Sequence, residues 1–285
     1  YLNPIERDGD SERRAELRAR MQPFILRRTK QQVLQDLPSL TVIRHEVRLD
    51  EQEQLRYALL RRQIHDKLFT PHGRRQYKIE VFAELVRLRR FCCHPRLVFP
   101  DATLESSKLR VLLDLVEELR ENGHRALVFS QFVDFLDLVR EVLNERGIRY
   151  EYLDGSTPKE QRQARVAAFQ NGTAELFLIS LKAGGFGLNL TGADYVIHLD
   201  PWWNPAVEAQ ATDRAHRIGQ LRPVTVYRLV TKDTIEENMV ALYADKRALA
   251  DGILEDTDLA ARLDFDDVSR LLGEHPPQTL SDANL

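Results

Sequence analysis

The chain has 285 residues, 43% of them hydrophobic and 30% charged, with a net charge of −3. That length allows one large or two modest domains with ample chain to bury a core, and the composition excludes a mainly disordered protein. No apolar run reaches membrane-spanning length, nothing at the N-terminus resembles a signal peptide, and a start at Tyr1 without methionine reads as an excised or processed piece. Charge is uneven: residues 1–100 carry 21 Lys and Arg against 13 Asp and Glu, whereas residues 251–285 carry 2 against 9. A basic N-terminal third suits an anionic partner such as a nucleic-acid backbone, while the acidic tail does not; the alternative is a pair of charged, solvated helices.

In chain order, periodicity predicts helices over 12–20 and 24–36, a strand over 41–48, and two longer helices over 51–69 and 77–92. Pro71-His72-Gly73 breaks the last two into an antiparallel pair. The run 42–49 alternates apolar and polar residues, as a half-exposed strand does. Asp50-Glu51 at its end mimics an acidic metal box, but Asp50 with Glu53 three residues on reads instead as a helix N-cap. Cys92 and Cys93 are the only cysteines. Adjacent cysteines seldom form a structural disulfide, which fits a reducing compartment. With His94 they lack a second ligand pair, so they read as buried packing rather than a metal site.

From Ser106 the pattern changes. Helices over 108–122, 132–146, 158–169 and 204–217 are interleaved with apolar strands over 125–129, 150–153, 175–180, 194–199 and 223–230. A long helix over 234–251 and an acidic tail follow. Strands separated by helices of this length imply crossover connections and an α/β, mainly parallel sheet covered by helices. Its chemistry belongs on the loops at the carboxyl ends of the strands. Gly184, Gly185 and Gly187 follow one strand end, where backbone N–H groups can approach a ligand closely. Gly-Phe-Gly alone also fits a dinucleotide turn, with Asp200 or Glu208 as ribose partner, but the third glycine is out of place. Further on, if Gln210–Gln220 is a helix, Gln210, Arg214 and Arg217 share one face. Paired guanidiniums suit a phosphoryl group in transit; the alternative is a solvated arginine-rich face.

The ordered set Ser180-Leu-Lys-Ala-Gly-Gly-Phe-Gly-Leu-Asn-Leu190, Asp200-Pro-Trp-Trp-Asn-Pro205 and Gln210-Ala-Thr-Asp-Arg-Ala-His-Arg-Ile-Gly-Gln220 resembles motifs V and VI of the Swi/Snf family of helicase-superfamily-two ATPases. Phe24-Ile-Leu-Arg-Arg-Thr-Lys30 with Leu37-Pro38, Arg87-Leu-Arg-Arg-Phe-Cys-Cys-His-Pro95, Ser107-Lys108-Leu109, Val128-Phe-Ser-Gln131, Tyr152-Leu-Asp-Gly-Ser156 and Thr234-Ile-Glu-Glu237 resemble further family segments in the same order. The resemblance covers roughly residues 20 to 250, and it is the order that makes it specific.

The resemblance implies a RecA-like lobe over 105–250, preceded over 1–104 by the end of a first ATPase lobe with a helical protrusion and followed over 251–285 by an acidic bracing tail. It assigns Arg214 and Arg217 to catalysis, and Gln210, Gly185, Gly187 and Asn189 to the nucleotide. Ser130, Gln131, Gly155, Ser156, Ser180 and Lys182 are assigned to the DNA backbone. Trp203 aligns with the family's tryptophan before Asn-Pro and is expected to couple DNA grip to the arginines, with Trp202 structural. No Gly-Lys pair occurs in the chain, so the phosphate-cradling P-loop is absent from it. ATP and Mg²⁺ would then be held mainly by a first lobe, and the chain alone would be inactive. The implied partners are double-stranded DNA and that lobe, with no membrane and no intrinsic metal, in a bacterial or archaeal cytoplasm or a eukaryotic nucleus. An RNA-remodelling helicase lobe and a non-enzymatic module that keeps the fold are the alternatives.

Overall fold

The computed structural model describes residue 20 and residues 37–69, 77–181, 183, 187–249 and 265–273. The chain divides into two compact units, Tyr1–Leu37 and Pro38–Leu285. Of the first, only Arg20, in a helix, and Leu37 are described, so the expected helices over 12–20 and 24–36 otherwise lie outside the described residues.

The second unit is built on a six-stranded sheet, every strand parallel to its neighbours. Its strands are β1 (Leu40–Val47), β2 (Ala126–Ser130), β3 (Tyr150–Leu153), β4 (Leu176–Ser180), β5 (Tyr195–His198) and β6 (Val224–Thr231), in the order β1-β6-β5-β2-β4-β3. The helices are α1 (Glu51–Leu68), α2 (Tyr77–Cys93), α3 (Ser107–Glu121), α4 (Val133–Glu145), α5 (Lys159–Gln170), α6 (Pro205–Thr212), α7 (Ile235–Leu249) and α8 (Phe265–Leu271).

The continuous apolar strands have the cause expected of a parallel sheet: both faces are covered. Along β2, Ala126 and Val128 enter a cluster with Leu112, Val116 and Phe135 from α3 and α4, while Leu127 and Phe129 enter another with Phe169, Phe177 and Val196. In α3, Leu109, Leu112, Leu113, Val116 and Leu119 recur at helical spacing and are buried together. A third cluster joins α1, α2, α7 and α8 around Tyr57, Leu85, Phe91, Ile235 and Val268. The helical pair runs antiparallel, since Tyr57 packs near Phe91 while Lys67 bonds Glu84 at 2.5 Å.

Local starts are set as the sequence reads. Asp50 caps α1, accepting from Glu53 N at 2.8 Å, and Glu53 Oε2 accepts from Asp50 N at 3.1 Å, a complete capping box. The same Glu53 accepts from Ser107 N and Ser107 Oγ, tying the start of α1 to the start of α3. Lys108 and Glu236 form an ion pair at 2.6 Å with both side chains fully buried, joining α3 to α7. Cys92 and Cys93, adjacent in sequence, enter different clusters, and burial pushes both thiols up. His94 Nδ1 accepts from Arg96 N, so all three side chains serve packing and a short helical turn.

The second compact unit begins at Pro38, because β1 pairs along its whole length with β6, so a strand ahead of the helical pair completes the sheet. That strand lies at the sheet edge, where Leu40, Val42 and Ile43 are exposed, while Val47 at its end is buried in the cluster that α3 covers.

Candidate functional site

All strands point the same way, so the ends of β2, β3, β4 and β5 bring their loops to one edge of the sheet. After β3, Asp154 organises the turn: its carboxylate accepts from Ser156 N at 2.9 Å, Ser156 Oγ at 2.8 Å, Thr157 Oγ1 at 2.9 Å and Tyr152 OH at 3.0 Å. Burial alone would raise this carboxyl, but those bonds hold it below its ordinary range. Gly155 and Ser156 are exposed on the turn, with open space around Gly155.

After β4, Gly187 has φ +26° and is exposed, as is Asn189. A pocket of about 730 Å³ lies between this loop and α5, lined by Lys159, Arg162, Val166, Gly187, Leu188 and Asn189 among others. Gly185 and Lys182, expected at the nucleotide and the DNA, lie outside the described residues.

The arginines depart from the one-face reading. Helix α6 is capped by Asn204, which accepts from Ala206 N, and starts at Pro205, but it stops at Thr212. Beyond it the carbonyls that would extend the helix are taken by tertiary partners. Arg214 O accepts from Leu190 N at 3.0 Å, and Ala215 O accepts from the Gln220 side chain at 3.1 Å. Gln220 Nε2 also reaches Ala193 O at 2.8 Å, and its Oε1 accepts from Leu221 N and Arg222 N, so this one buried amide folds the segment into a turn. Gln210 is exposed on α6 and Arg217 is exposed on the turn, whereas Arg214 is only 6% exposed with its guanidinium 5.7 Å from the centre of the Phe129 ring. Burial pulls its pKa down to about 10, which leaves it charged at neutral pH. Arg214 is therefore a core side chain as well as a candidate site residue, and the two arginines do not project together from one helical face.

Ser130 and Ser180, expected at DNA phosphate, are both buried. Ser130 Oγ donates to Asp200 Oδ1 at 2.6 Å, and Ser180 Oγ accepts from Ala183 N at 3.3 Å. They end strands that are buried along their whole length, so their hydroxyls hold loops rather than meet a solvent-borne ligand. Gln131 is half-buried, donating from its backbone N at 3.2 Å and from its side chain to Asp200 Oδ2. Asp200 is thus occupied by the β2 loop, and Glu208 by Trp202 N and Arg228, so neither serves a dinucleotide turn.

The tryptophans differ in burial. Trp203 is the buried one, in the cluster of the helical pair and α7, while Trp202 is half-buried against the sheet cluster. The sequence reading missed Asp200, Gln220 and Arg89 as organisers. Arg89, deep in α2, donates to Pro201 O at 2.5 Å beneath the turn that carries both tryptophans.

This parallel sheet with its loops collected at one edge has relatives. A helicase conserved C-terminal domain matches residues 107–219, and an SNF2-related domain matches residues 1–97. YwqA of Bacillus subtilis is 36% identical over 279 residues, covering 95% of this chain and 30% of its own length. The human SWI/SNF-related matrix-associated actin-dependent regulator of chromatin subfamily A member 1 is 38% identical over 245 residues, covering 81% of this chain and 23% of its own. Among solved structures, the Sulfolobus solfataricus SWI2/SNF2 ATPase core in complex with dsDNA superposes with TM-score 0.70 at 30% identity, over 97% of this chain and 59% of that one. The C-terminal domain of a Sulfolobus solfataricus SWI2/SNF2 ATPase does so with TM-score 0.67 at 27% identity, over 82% of this chain and 98% of that one. Fold and sequence together define a RecA-like helicase lobe joined to SNF2-related sequence. The chain belongs to the Swi/Snf family of ATP-dependent helicases, and it spans less than a third of the length of the two relatives named.

Proposed function

We propose that this chain is the second RecA-like lobe, with flanking elements, of an ATP-driven translocase on double-stranded DNA, working in a bacterial or archaeal cytoplasm or a eukaryotic nucleus. In this reading residues 1–104 end a first lobe and supply the helical protrusion, residues 105–250 form the second lobe, and residues 251–285 brace it, with β1 lent to the second lobe's sheet. The observation that carries the proposal is the bond from Leu190 N to Arg214 O, which locks the Gly187–Asn189 loop onto the arginine turn. A shift of one must move the other.

ATP fits this edge: exposed Gly187 offers backbone without side-chain obstruction, and Gln210 and Arg217 are exposed nearby in sequence on α6 and its turn. When bound between two lobes, ATP supplies the phosphoryl group, and Arg217 together with Arg214 offers the positive charge on which its transition state depends. Lobe closure brings that charge to the nucleotide, and opening withdraws it. No group of three or more His, Cys, Asp or Glu side chains converges among the described residues as a cation site requires, and the proposal assigns Mg²⁺ and the P-loop to the first lobe.

DNA contact rests on Gln131, Gly155, Ser156 and Lys182. Hydroxyl and backbone groups grip phosphate without reading sequence, so binding should be insensitive to sequence and sensitive to salt. The test is steady-state ATP hydrolysis by this chain alone, and by a protein that joins it to a P-loop lobe, with and without duplex. The chain alone should be inactive and the joined protein stimulated by duplex DNA. Turnover by this chain at about 1 s⁻¹ or faster would overturn the half-site reading. Stimulation by duplex RNA in preference to DNA would favour the RNA-remodelling alternative, and no hydrolysis in the joined protein would favour a binding module.

A further inference from the structure

Arg89 sits on the inner face of α2, 1% exposed, and burial lowers its pKa against the pull of Asp200 and Glu236. A guanidinium in such a place is costly unless all its donors are used, and a hydrophobic residue would commonly serve stability as well. Here Nη2 donates to Pro201 O at 2.5 Å, but Nε has no hydrogen-bond partner among the described residues. The geometry has another use. The guanidinium lies 5.2 Å from the centre of the Trp203 ring and 5.6 Å from that of Phe132, so it meets the turn after β5 and the loop after β2 at once. Asp200 stands between these two segments, binding Ser130 and Gln131 on one side and attracting Arg89 on the other. One charged side chain from the helical pair thus touches the loop that carries Gln131 and the turn that leads into α6 and the arginines.

We propose that Arg89 is a positioning residue through which the helical pair α1–α2 sets the Gln131 loop and the Trp202–Asn204 turn, and so controls how strongly DNA stimulates hydrolysis. This rests on the translocase reading above. A guanidinium suits the task because its plane can face two rings while a hydrogen bond fixes its direction; an ammonium cannot do both.

Two measurements test it. The first is amide hydrogen exchange of this chain, as parent and as Arg89→Lys. Exchange in residues 130–134 and 200–206 should rise about tenfold or more, while β3, β4 and α5 stay as in the parent. The second is ATP hydrolysis by the protein joined to a P-loop lobe. Arg89→Lys should keep basal turnover and the half-saturating duplex concentration within about threefold, yet lose about tenfold in the increment that duplex adds. Should Arg89→Lys fail to fold, Phe132→Leu removes one ring beneath the guanidinium and should act in the same direction, more weakly.

Exchange that rises throughout the sheet would make Arg89 a packing residue and overturn the proposal, as would unchanged exchange in both loops. A stimulated parent with an equally stimulated Arg89→Lys would overturn this role alone. A parent that duplex does not stimulate would overturn the translocase reading, and this role with it.

Discussion

Replacing Lys108 by Met should destabilise the fold more than its position outside the site suggests. Lys108 and Glu236 are both fully buried and 2.6 Å apart, and Glu236 also accepts from Thr231 N at 2.8 Å. Removing only the ammonium leaves a buried carboxylate facing one backbone donor, a change that costs about 3–5 kcal/mol in comparable pairs. For a unit of this size each kcal/mol lowers Tm by roughly 2–4 °C, so a fall of about 6–20 °C is expected. Glu236 holds the Lys108 ammonium above its ordinary range despite the burial that opposes it. The stabilisation is then complete below the unfolded lysine pKa and lost only as pH rises through the higher folded value, so the loss should be flat from about pH 6 to 9. Lys108→Met with Glu236→Gln removes both charges and keeps the acceptor for Thr231 N, and should recover most of the loss. The assay is urea unfolding of parent, single and double variants, comparing midpoints at equal slope. A single variant within about 1 kcal/mol of the parent, or a double variant no better than the single, would refute the reasoning.

The remaining predictions concern the site and its surroundings. Arg217→Ala should melt like the parent but reduce duplex-stimulated hydrolysis of the joined protein by about 10³–10⁵, whereas Arg214→Ala should lose both activity and stability; a stable, inactive Arg214→Ala would show that its burial contributes little. Trp203→Ala should cost about 3–5 kcal/mol and Trp202→Ala less, read from denaturant midpoints, and the reverse order would contradict the packing seen here. Burial holds His198 neutral, with its pKa pulled down to about 3. The unfolded chain therefore binds the proton first, and stability should fall as pH drops below the unfolded value of about 6.5. His198→Gln should flatten that fall between about pH 6.5 and 4, and an unchanged slope would place the proton uptake elsewhere.

How much of this was legible depended on whether the cause was local. Period and length located every strand of the sheet, because β2 and β4 are apolar up to a terminal serine and so announce a sheet covered on two faces. The capping box at Asp50 and Glu53 was equally plain, since it needs only two side chains three residues apart. The arginine segment misled for the opposite reason. Nothing between Gln210 and Arg217 breaks a helix; what ends it is a side chain at Gln220 and a backbone N–H at Leu190, folded onto it from outside. Likewise a serine at a strand end looks the same whether it faces solvent or a buried aspartate, so Ser130 and Ser180 could not be separated from Ser156 without Asp200 and the sheet in place. The resemblance gave the order of the motifs but not which tryptophan would be buried.

The pairing of β1 with β6 bears on how the protein is made. Leu40 lies opposite Val224, roughly 180 residues further on, so the sheet closes through one of the longest loops the unit has. During synthesis at about 5–20 residues per second, β1 waits on the order of 10–40 s for β6 to leave the ribosome. Through that interval it presents Val42 and Ile43 on an unpaired edge, and Arg44 and Glu46 within it are charges of the kind that disfavour pairing with another chain. Slow refolding, and aggregation relieved by dilution, are the kinetic signature that a strand so far from its neighbour should leave.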